Sequence, residues 1–229
     1  MGGTSGIGLA SAKMVSDAGA KAIITGRNPE KLKNALTVLP DIATGMTFDA
    51  TSADELKKFY RDTGEFDHLI LSISGGGGGG PFAGLDSELL KQAFNAKFYV
   101  YITAIQLSLP TIRKDGSVTM VTAGSARSPF PGTSGLAAIN GALESMLPTL
   151  ALELKPLRIN AVSPGIIDTP WWDKTPQEQR KAAFALFSEK TPVGRIGRAE
   201  DVAAAILFLV QNTYMDGTVI ECDGGMRIK

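Results

Sequence analysis

The sequence predicts an α/β protein built as a doubly wound parallel sheet in a three-layer αβα arrangement. Two observations lead to this prediction. Short apolar runs rich in β-branched residues alternate with longer segments of helical period, and a glycine-rich turn opens the first helical segment. The chain has 229 residues, of which 44% are hydrophobic and 20% charged, and this is enough to bury one sizeable core. A single domain over residues 1–229 is therefore expected.

Six apolar runs predict strands, and six longer segments predict helices. The strands are expected at 21–25, 45–49, 68–73, 117–122, 158–162 and 217–221. The helices are expected at 8–18, 29–38, 52–62, 86–109, 135–154 and 199–211, and Pro148 should kink the fifth of them. In a sheet of this kind, ligands bind beyond the carboxyl ends of the strands.

The composition excludes several classes of partner. Lys and Arg together number 23, as do Asp and Glu, so no surplus of positive charge favours nucleic acid or an anionic membrane. A small molecule is the expected partner. No metal site and no internal disulfide are expected, because His68 and Cys222 are the only residues of their types. The longest apolar run, 203–210, is too short to cross a bilayer, and no signal peptide is recognisable, which predicts a cytoplasmic protein.

The turn at the start of the chain has the chemistry of a phosphate-binding loop. Gly2, Gly6 and Gly8 follow the spacing G-x-x-x-G-x-G and lead directly into a helical run. Glycines let the backbone approach a pyrophosphate closely, and the start of a helix presents free N–H groups to it. The hydroxyls of Thr4 and Ser5 are candidates for further contacts.

Arg27 predicts the choice of dinucleotide. It follows the strand 21–25, about 20 residues after the turn, and no carboxylate stands beside it there. An acid at this place binds the ribose 2′-hydroxyl of NAD, whereas an Arg accommodates the 2′-phosphate of NADP. The sequence therefore favours NADP(H), with a solvated loop arginine as the alternative interpretation.

Six consecutive glycines, 75–80, directly follow the strand at 68–73. That place is where a ligand crevice lies in an open α/β sheet. A flexible loop without a function is the alternative, because glycines impose little geometry on the backbone.

These features together resemble the short-chain dehydrogenases and reductases. The segment GGTSGIG matches the cofactor turn of that family, FDHLI its fourth strand, and RINAVSPGIIDTP its sixth strand and nicotinamide loop. The segments GRAEDVAAAILFLV and GTVIECDGG match its C-terminal part. The resemblance runs from Gly2 to Gly225 and implies a Rossmann-type fold with hydride-transfer activity.

The resemblance also implies which residues bind the cofactor. Asp49 would contact the adenine end, Ser72 would lie beneath the adenosine ribose, and Ile167 and Thr169 would hold the carboxamide and the pyrophosphate. The segment 170–192 would be a mobile substrate lid. The full set of expected cofactor contacts is Gly2, Thr4, Ser5, Gly6, Ile7, Gly8, Arg27, Asp49, Ser72, Lys97, Asn140, Pro164, Gly165, Ile167 and Thr169.

The same resemblance predicts a gap in the sheet. The family has its first strand, in the middle of the sheet, just before the glycine turn, whereas here Met1 stands where the family usually has the first Thr of the turn. The first, central strand is therefore expected to be missing, with the facing edges of the two flanking strands unpaired. A start assigned too late, or a truncated chain, explains this more simply than a natural sheet with a hole.

The catalytic positions of the family hold other residues in this chain. The family uses a Tyr to move a proton, a Lys four residues later, a Ser that polarises the carbonyl and an Asn that completes a water relay. The resemblance places Leu136 on the Tyr, Asn140 on the Lys, Ala123 on the Ser and Lys97 on the Asn. Leu136 has no proton to donate, so the family mechanism does not carry over unchanged.

Lys97 and Asn140 look like an exchange of the family's Lys and Asn between two facing helices. In that interpretation Lys97 supplies the positive charge that Asn140 no longer supplies, and both are the candidate catalytic residues. Drift in a dead site is the alternative. Tyr101, four residues after Lys97, is either a substitute proton donor or a packing residue at a subunit interface. Ser125 is a candidate for the missing hydroxyl.

Two functions follow from these observations. The first is an NADP(H)-dependent oxidoreductase acting on a small carbonyl or alcohol. The second is a non-catalytic NADP(H)-binding sensor or subunit. A homodimer or homotetramer joined through the helices 86–109 and 135–154 is also expected, because both helices carry apolar residues over more than one face.

Overall fold

Helices and strands alternate along the chain in a computed structural model that describes residues 1–228. The helices are α1 (Gly6–Asp17), α2 (Pro29–Leu36), α3 (Ala53–Thr63), α4 (Ser87–Phe94), α5 (Val100–Ser108), α6 (Ser134–Glu153), α7 (Gln177–Lys190) and α8 (Ala199–Gln211). The strands are β1 (Ile23–Gly26), β2 (Thr44–Thr47), β3 (Phe66–Leu71), β4 (Ile112–Val121), β5 (Arg158–Pro164), β6 (Ile167–Asp168), β7 (Gly197–Arg198) and β8 (Val219–Cys222).

The strands form parallel sheets that meet at the start of the chain. β1 pairs with β2, and a second sheet has the order β3-β4-β5-β8. Residues 1–3 link the two sheets: the Met1 amino group donates to Ile70 O at 2.6 Å, and the N–H groups of Gly2 and Gly3 donate to Thr25 O. The predicted doubly wound α/β fold is confirmed, and among the described residues no strand lies between β1 and β3.

Helices cover both faces of the four-stranded sheet. On one face, α3, α5 and α6 pack on the sheet, and side chains such as Leu143 and Leu147 of α6 are fully buried against Val118 and Ile159. On the other face, α8 buries Val202 and its neighbours against β5. The two inner strands are buried on both faces, β4 from Gly116 to Val121 and β5 over its whole length, as expected for a covered parallel sheet.

Two elements differ from their prediction. The segment 86–109 is expected as one α-helix, but a π-helical turn, Asn95–Tyr99, separates α4 from α5. Such turns are common at functional sites because one extra residue changes the direction of the side chains. The strand expected at 117–122 begins five residues earlier, at Ile112, because Ile112 pairs with Phe66 before a bulge. That pairing could not be predicted from the sequence, because residues 113–116 are polar or glycine and do not resemble a buried strand.

Helix α6 runs unbroken from Ser134 to Glu153 with Pro148 inside it. By length and composition it is also the one helix of the described residues that would suit a membrane span, with a mean hydropathy of 1.2. A core helix of this kind has the same composition, because its apolar residues line the sheet.

Tyr101 ties the start of α5 to two strands. The side chain is fully buried, and its hydroxyl lies 2.8 Å from Leu71 O, 3.1 Å from Val121 O and 3.2 Å from Ile73 O. Burial raises the pKa of the phenol far above its usual value. Tyr101 is thus neither an exposed interface residue nor a proton donor facing a ligand, and both expectations for it are corrected.

We predict that Tyr101→Phe will lower the free energy of unfolding by about 1 to 3 kcal/mol, because buried carbonyl oxygens lose their donor. Chemical denaturation monitored by circular dichroism measures the change. Tyr99→Phe is the matched control, since Tyr99 is 56% exposed and should leave stability unchanged. Equal stability of the two variants would contradict the structural role.

Candidate functional site

The glycine turn before α1 is closed by backbone contacts that exclude side chains. Gly2 and Gly6 have φ values of 77° and 52°, in the left-handed region that favours glycine. A Cβ atom on Gly8 would lie 2.1 Å from the carbonyl oxygen of Gly2. The three glycines of the motif are therefore required by the shape of the turn itself.

The start of α1 presents backbone donors at this turn. Ser5 precedes the helix in an extended conformation, and its side chain makes no capping hydrogen bond. The N–H groups of Gly6, Ile7 and Gly8 belong to the first helical turn, where no earlier carbonyl of the helix can accept from them. Together with the helix dipole, these donors make an anion-binding concavity.

Other predicted residues surround the turn. The carbonyl oxygen of Ser72 lies 2.6 Å from the position that a Cβ on Gly2 would take, and Thr169 Cβ lies 3.2 Å from that of Gly6. Thr4 packs against Gly26 at the end of β1. The ends of β1, β3 and β6 thus converge on the turn, at the edge of the sheet where ligands bind.

Pro164 and Gly165 close the end of β5. Gly165 N–H donates to Cys222 O at 3.1 Å, which keeps the strand end paired with β8. Ile167 follows in β6 with its side chain buried in the core. The loop 164–169 therefore presents Thr169 to the glycine turn while Ile167 anchors it.

Arg27 and Asp49 follow β1 and β2, which are paired in register up to Gly26 and Thr47. Arg27 is exposed. The Asp49 carboxylate accepts a hydrogen bond from Thr51 N–H at 3.0 Å, and this bond, supported by the charge of Arg27, holds its pKa below the usual value. An exposed guanidinium and an ionised carboxylate thus lie together at this corner of the sheet.

Lys97 and Asn140 meet in the crevice between the π-helical turn and α6. Lys97 Nζ donates to Asn140 Oδ1 at 2.7 Å and to Thr122 O at 3.3 Å, and Asn140 Nδ2 donates to Leu136 O at 2.8 Å. Burial lowers the pKa of Lys97 to about 8. The structure therefore brings together the two residues that the sequence suggests had exchanged places.

No hydroxyl is supplied by the two positions that resemble the family's Ser and Tyr, since they hold Ala123 and Leu136. Ala123 follows β4, and Leu136 lies in the first turn of α6. Ser125 falls in the 3₁₀ turn Gly124–Ala126, where its buried hydroxyl has no hydrogen-bond partner among residues 1–228.

The glycine run lines a cavity of about 640 Å³. Gly75–Gly79 form one wall, α4 forms the other, and Leu136 and Trp171 lie at its ends. Side chains would fill the narrow places, since a Cβ on Gly77 would lie 3.0 Å from Ala93 Cβ. Of the two interpretations of the run, the structure therefore favours the ligand crevice.

The predicted lid is a 3₁₀ turn, Pro170–Lys174, followed by α7. Trp172 Nε1 donates to Ile167 O at 3.1 Å, and its ring contacts Phe184 edge-on. Arg180 forms ion pairs with Asp168 and Asp173. These contacts hold the lid helix beside the crevice.

Three polar residues near Lys97 were not predicted from the sequence: Thr122, Glu144 and Arg127. Thr122 Oγ1 donates to Glu144 Oε1 at 2.7 Å, and Arg127 Nε donates to Glu144 Oε2 at 2.7 Å. The available signal was Glu144 itself, an acid one helical turn after Asn140 on the buried face of a largely apolar helix.

Comparison with known proteins assigns this chain to a family. A family model described as enoyl-(acyl carrier protein) reductase matches residues 2–227. The short-chain dehydrogenase/reductase MalC of Malbranchea aurantiaca is 32% identical, with 100% of this chain and 93% of the relative covered. The chain belongs to the short-chain dehydrogenases and reductases.

Solved structures agree with this assignment. That of MalC, described as a reductase/Diels-Alderase, gives a TM-score of 0.91 at 29% identity, covering 100% of this chain and 94% of the other. A small-chain dehydrogenase in complex with NADPH gives 0.85 at 29% identity, covering 100% and 96%. An NADPH-bound short-chain oxidoreductase from Pseudomonas aeruginosa with an atypical catalytic center gives 0.88 at 26% identity, covering 98% and 94%.

Proposed function

We propose that this protein is an NADP(H)-dependent oxidoreductase that acts on a small carbonyl or alcohol substrate through an atypical active site. The observation that carries the proposal is the glycine turn at the start of α1, which touches Ser72 and Thr169 and adjoins Arg27 through Thr4 and Gly26. Membership of an oxidoreductase family and two NADPH-bound structural neighbours support it.

The residues of the turn fit a dinucleotide. The N–H groups of Gly6, Ile7 and Gly8 would bind the pyrophosphate, and the guanidinium of Arg27 would bind the 2′-phosphate. The chemistry that NADPH would supply here is hydride transfer to a carbonyl carbon. The remaining contacts come from Asp49 at the adenine, Ser72 at the adenosine ribose, and Ile167 and Thr169 at the carboxamide and pyrophosphate.

Lys97 and Asn140 act at the nicotinamide end. The Lys97 ammonium holds the nicotinamide ribose and carries the positive charge of the crevice, while Asn140 Oδ1 fixes its direction. An acid is most effective when its pKa lies near the working pH, and the pKa of about 8 puts Lys97 in that range. Lys97 is therefore the proton donor that we propose in place of the missing hydroxyls.

Turnover is tested by following NADPH absorbance with purified protein and a panel of aldehydes and ketones. Oxidation that depends on the carbonyl compound, and is lost in Lys97→Ala, would support the oxidoreductase. Tight NADPH binding with no turnover across the panel would instead favour the non-catalytic sensor or subunit.

We predict that Arg27→Asp will reverse the cofactor preference from NADP(H) to NAD(H). The parent protein should bind NADPH at least about tenfold more tightly than NADH, because a charge-assisted bond to the 2′-phosphate contributes about 1.5 to 3 kcal/mol. Titration of protein fluorescence with each nucleotide measures both affinities.

Arg61→Asp on the exposed surface of α3 is the control, because it makes the same charge change away from the turn. Equal or tighter NADH binding by the parent protein would exclude the NADP(H) assignment.

We predict that Lys97→Ala will weaken NADPH binding by about 1 to 3 kcal/mol, the cost of losing a hydrogen bond from a charged group. Asn140→Lys alone, with Lys97 still present, should not give the affinity or activity of a typical family site, because two ammonium groups in one crevice repel each other. The double variant Lys97→Asn with Asn140→Lys should bind NADPH as the parent does. Unchanged affinity in Lys97→Ala would make drift the better account.

We also propose a homodimer or homotetramer that buries the helices around the crevice. Several large apolar side chains of α4, α6 and the π-helical turn are exposed, with Leu152 at 73% and Leu89 at 59%. Exposed apolar surface of this kind is typical of an interface.

Light scattering at micromolar concentration should give a mass of two or four chains. Leu152→Lys should shift the population toward the monomer, because it places a charge in the apolar contact, whereas Lys13→Glu on α1 should not. A monomeric parent protein would contradict the interface.

A further inference from the structure

A continuous polar path leads from Lys97 through Glu144 to the exposed side chain of Arg127. Lys97 Nζ donates to Thr122 O at 3.3 Å, and the hydroxyl of the same threonine donates to Glu144 Oε1 at 2.7 Å. The other oxygen of Glu144 accepts from Arg127 Nε at 2.7 Å, and Arg127 Nη1 donates to Glu221 Oε1 at 2.9 Å. One residue, Thr122, thus contacts both the ammonium and the carboxylate.

Every element packed around Lys97 except α6 faces it with an uncharged group. The end of β4 offers the carbonyl of Thr122, and α5 offers the ring of Tyr101, whose centroid is 5.7 Å from the ammonium. Helix α6 offers Asn140 and then Glu144, and the charge of Glu144 opposes the effect of burial on Lys97. Arg127 is paired with Glu144 on the far side of the carboxylate.

The carboxylate of Glu144 is held in one place by its hydrogen bonds. The residue is only 8% exposed, yet both carboxylate oxygens are hydrogen-bonded, one of them to a guanidinium. A buried carboxylate with two such donors keeps one orientation. It lies behind a lysine that is itself short of charged partners.

We propose that Glu144 is the positioning residue for Lys97, holding the ammonium against Asn140 through Thr122 and keeping it protonated in the nucleotide-binding crevice. This inference rests on the proposed function, because it assigns to Glu144 the control of a lysine that contacts the nucleotide. Glu144 itself does not touch the reacting atoms. Its effect reaches them through the charge state and direction of Lys97.

The consequence for pH has a definite sign. Lys97 binds its proton below a pKa of about 8, so nucleotide affinity should be constant below that pH and fall above it as the ammonium becomes neutral. Removing the negative charge of Glu144 removes the influence that raises the pKa of Lys97. The fall in affinity should then begin at a lower pH.

The test measures the dissociation constant of NADPH between about pH 7 and pH 10, above the second ionisation of a phosphate monoester near pH 6. The pH at which NADPH affinity begins to fall is called the break. Glu144→Gln should lower the break by about one pH unit, which is within the range of pKa shifts caused by a nearby opposite charge. Lys97→Arg should abolish the break, because a guanidinium stays charged throughout. Glu153→Gln, an exposed carboxylate on the same helix, is the matched control and should leave the break in place.

Thr122→Val keeps the inference testable if Glu144→Gln does not fold, as judged by a cooperative thermal transition. It removes the hydroxyl that joins Glu144 to the strand and should also lower the break. A parent protein with a break near pH 8 that both variants retain would overturn the role of Glu144. A break that persists in Lys97→Arg would overturn it as well, because the titrating group would not be Lys97.

Failure of the proposed function has a different signature. The parent protein would then not bind NADPH, or its affinity would be the same in Lys97→Ala at pH 7. In either case Lys97 would not control nucleotide affinity, so the inference about Glu144 would fall with the function whatever the pH profiles of its variants.

Discussion

The backbone of the glycine turn makes contacts that place the other groups of the crevice. Residues 1–3 donate to the ends of both sheets, and α1 begins three residues later. There is no space for a Cβ on Gly8 beside the carbonyl of Gly2, so the helix start lies directly against the turn. Because Ser72 and Thr169 pack on the same glycines, the ends of two further strands are held at one point. The close backbone contacts of the glycine turn thus determine where a dinucleotide would lie.

A second constraint lies at the other end of the crevice. The buried hydroxyl of Tyr101 contacts carbonyls at the ends of β3 and β4, which fixes α5 to the sheet. Lys97 lies one helical turn earlier, in the π-helical segment, and its ammonium lies over the same tyrosine ring. A tyrosine that the sequence offers as a proton donor is therefore part of the support for the lysine. Its hydroxyl is used by the backbone, so it has no proton to give to a ligand.

The sequence predicts the fold and the cofactor turn because both depend on local signals. The apolar runs and the glycine spacing require no knowledge of distant contacts, and the position of Arg27 follows from the end of β1. The pairing of Lys97 with Asn140 is predictable only through the family resemblance, which implies that the two residues face each other from neighbouring helices. Thr122, Glu144 and Arg127 could not be found in this way, because they are close only when β4 and α6 are packed. The strand segment 112–116 could not be predicted for a similar reason. It is held by the pairing of Ile112 with Phe66, and its own residues are mostly polar.

The arrangement around Lys97 offsets the cost of burying an ammonium at a position where the family has an Asn. A buried ammonium is costly unless it is paired, and its direct partners here are two neutral oxygens, Asn140 Oδ1 and Thr122 O. A carboxylate in direct contact would neutralise the charge and reduce what the lysine offers to a ligand. Glu144 lies one residue further away, so its charge favours the ammonium without a direct ion pair. Because these dipoles and charges are fixed before any ligand arrives, little reorganisation is needed when one binds. Under the proposed function, this arrangement would let a chain without hydroxyls at Ala123 and Leu136 present an oriented positive charge to a carbonyl oxygen.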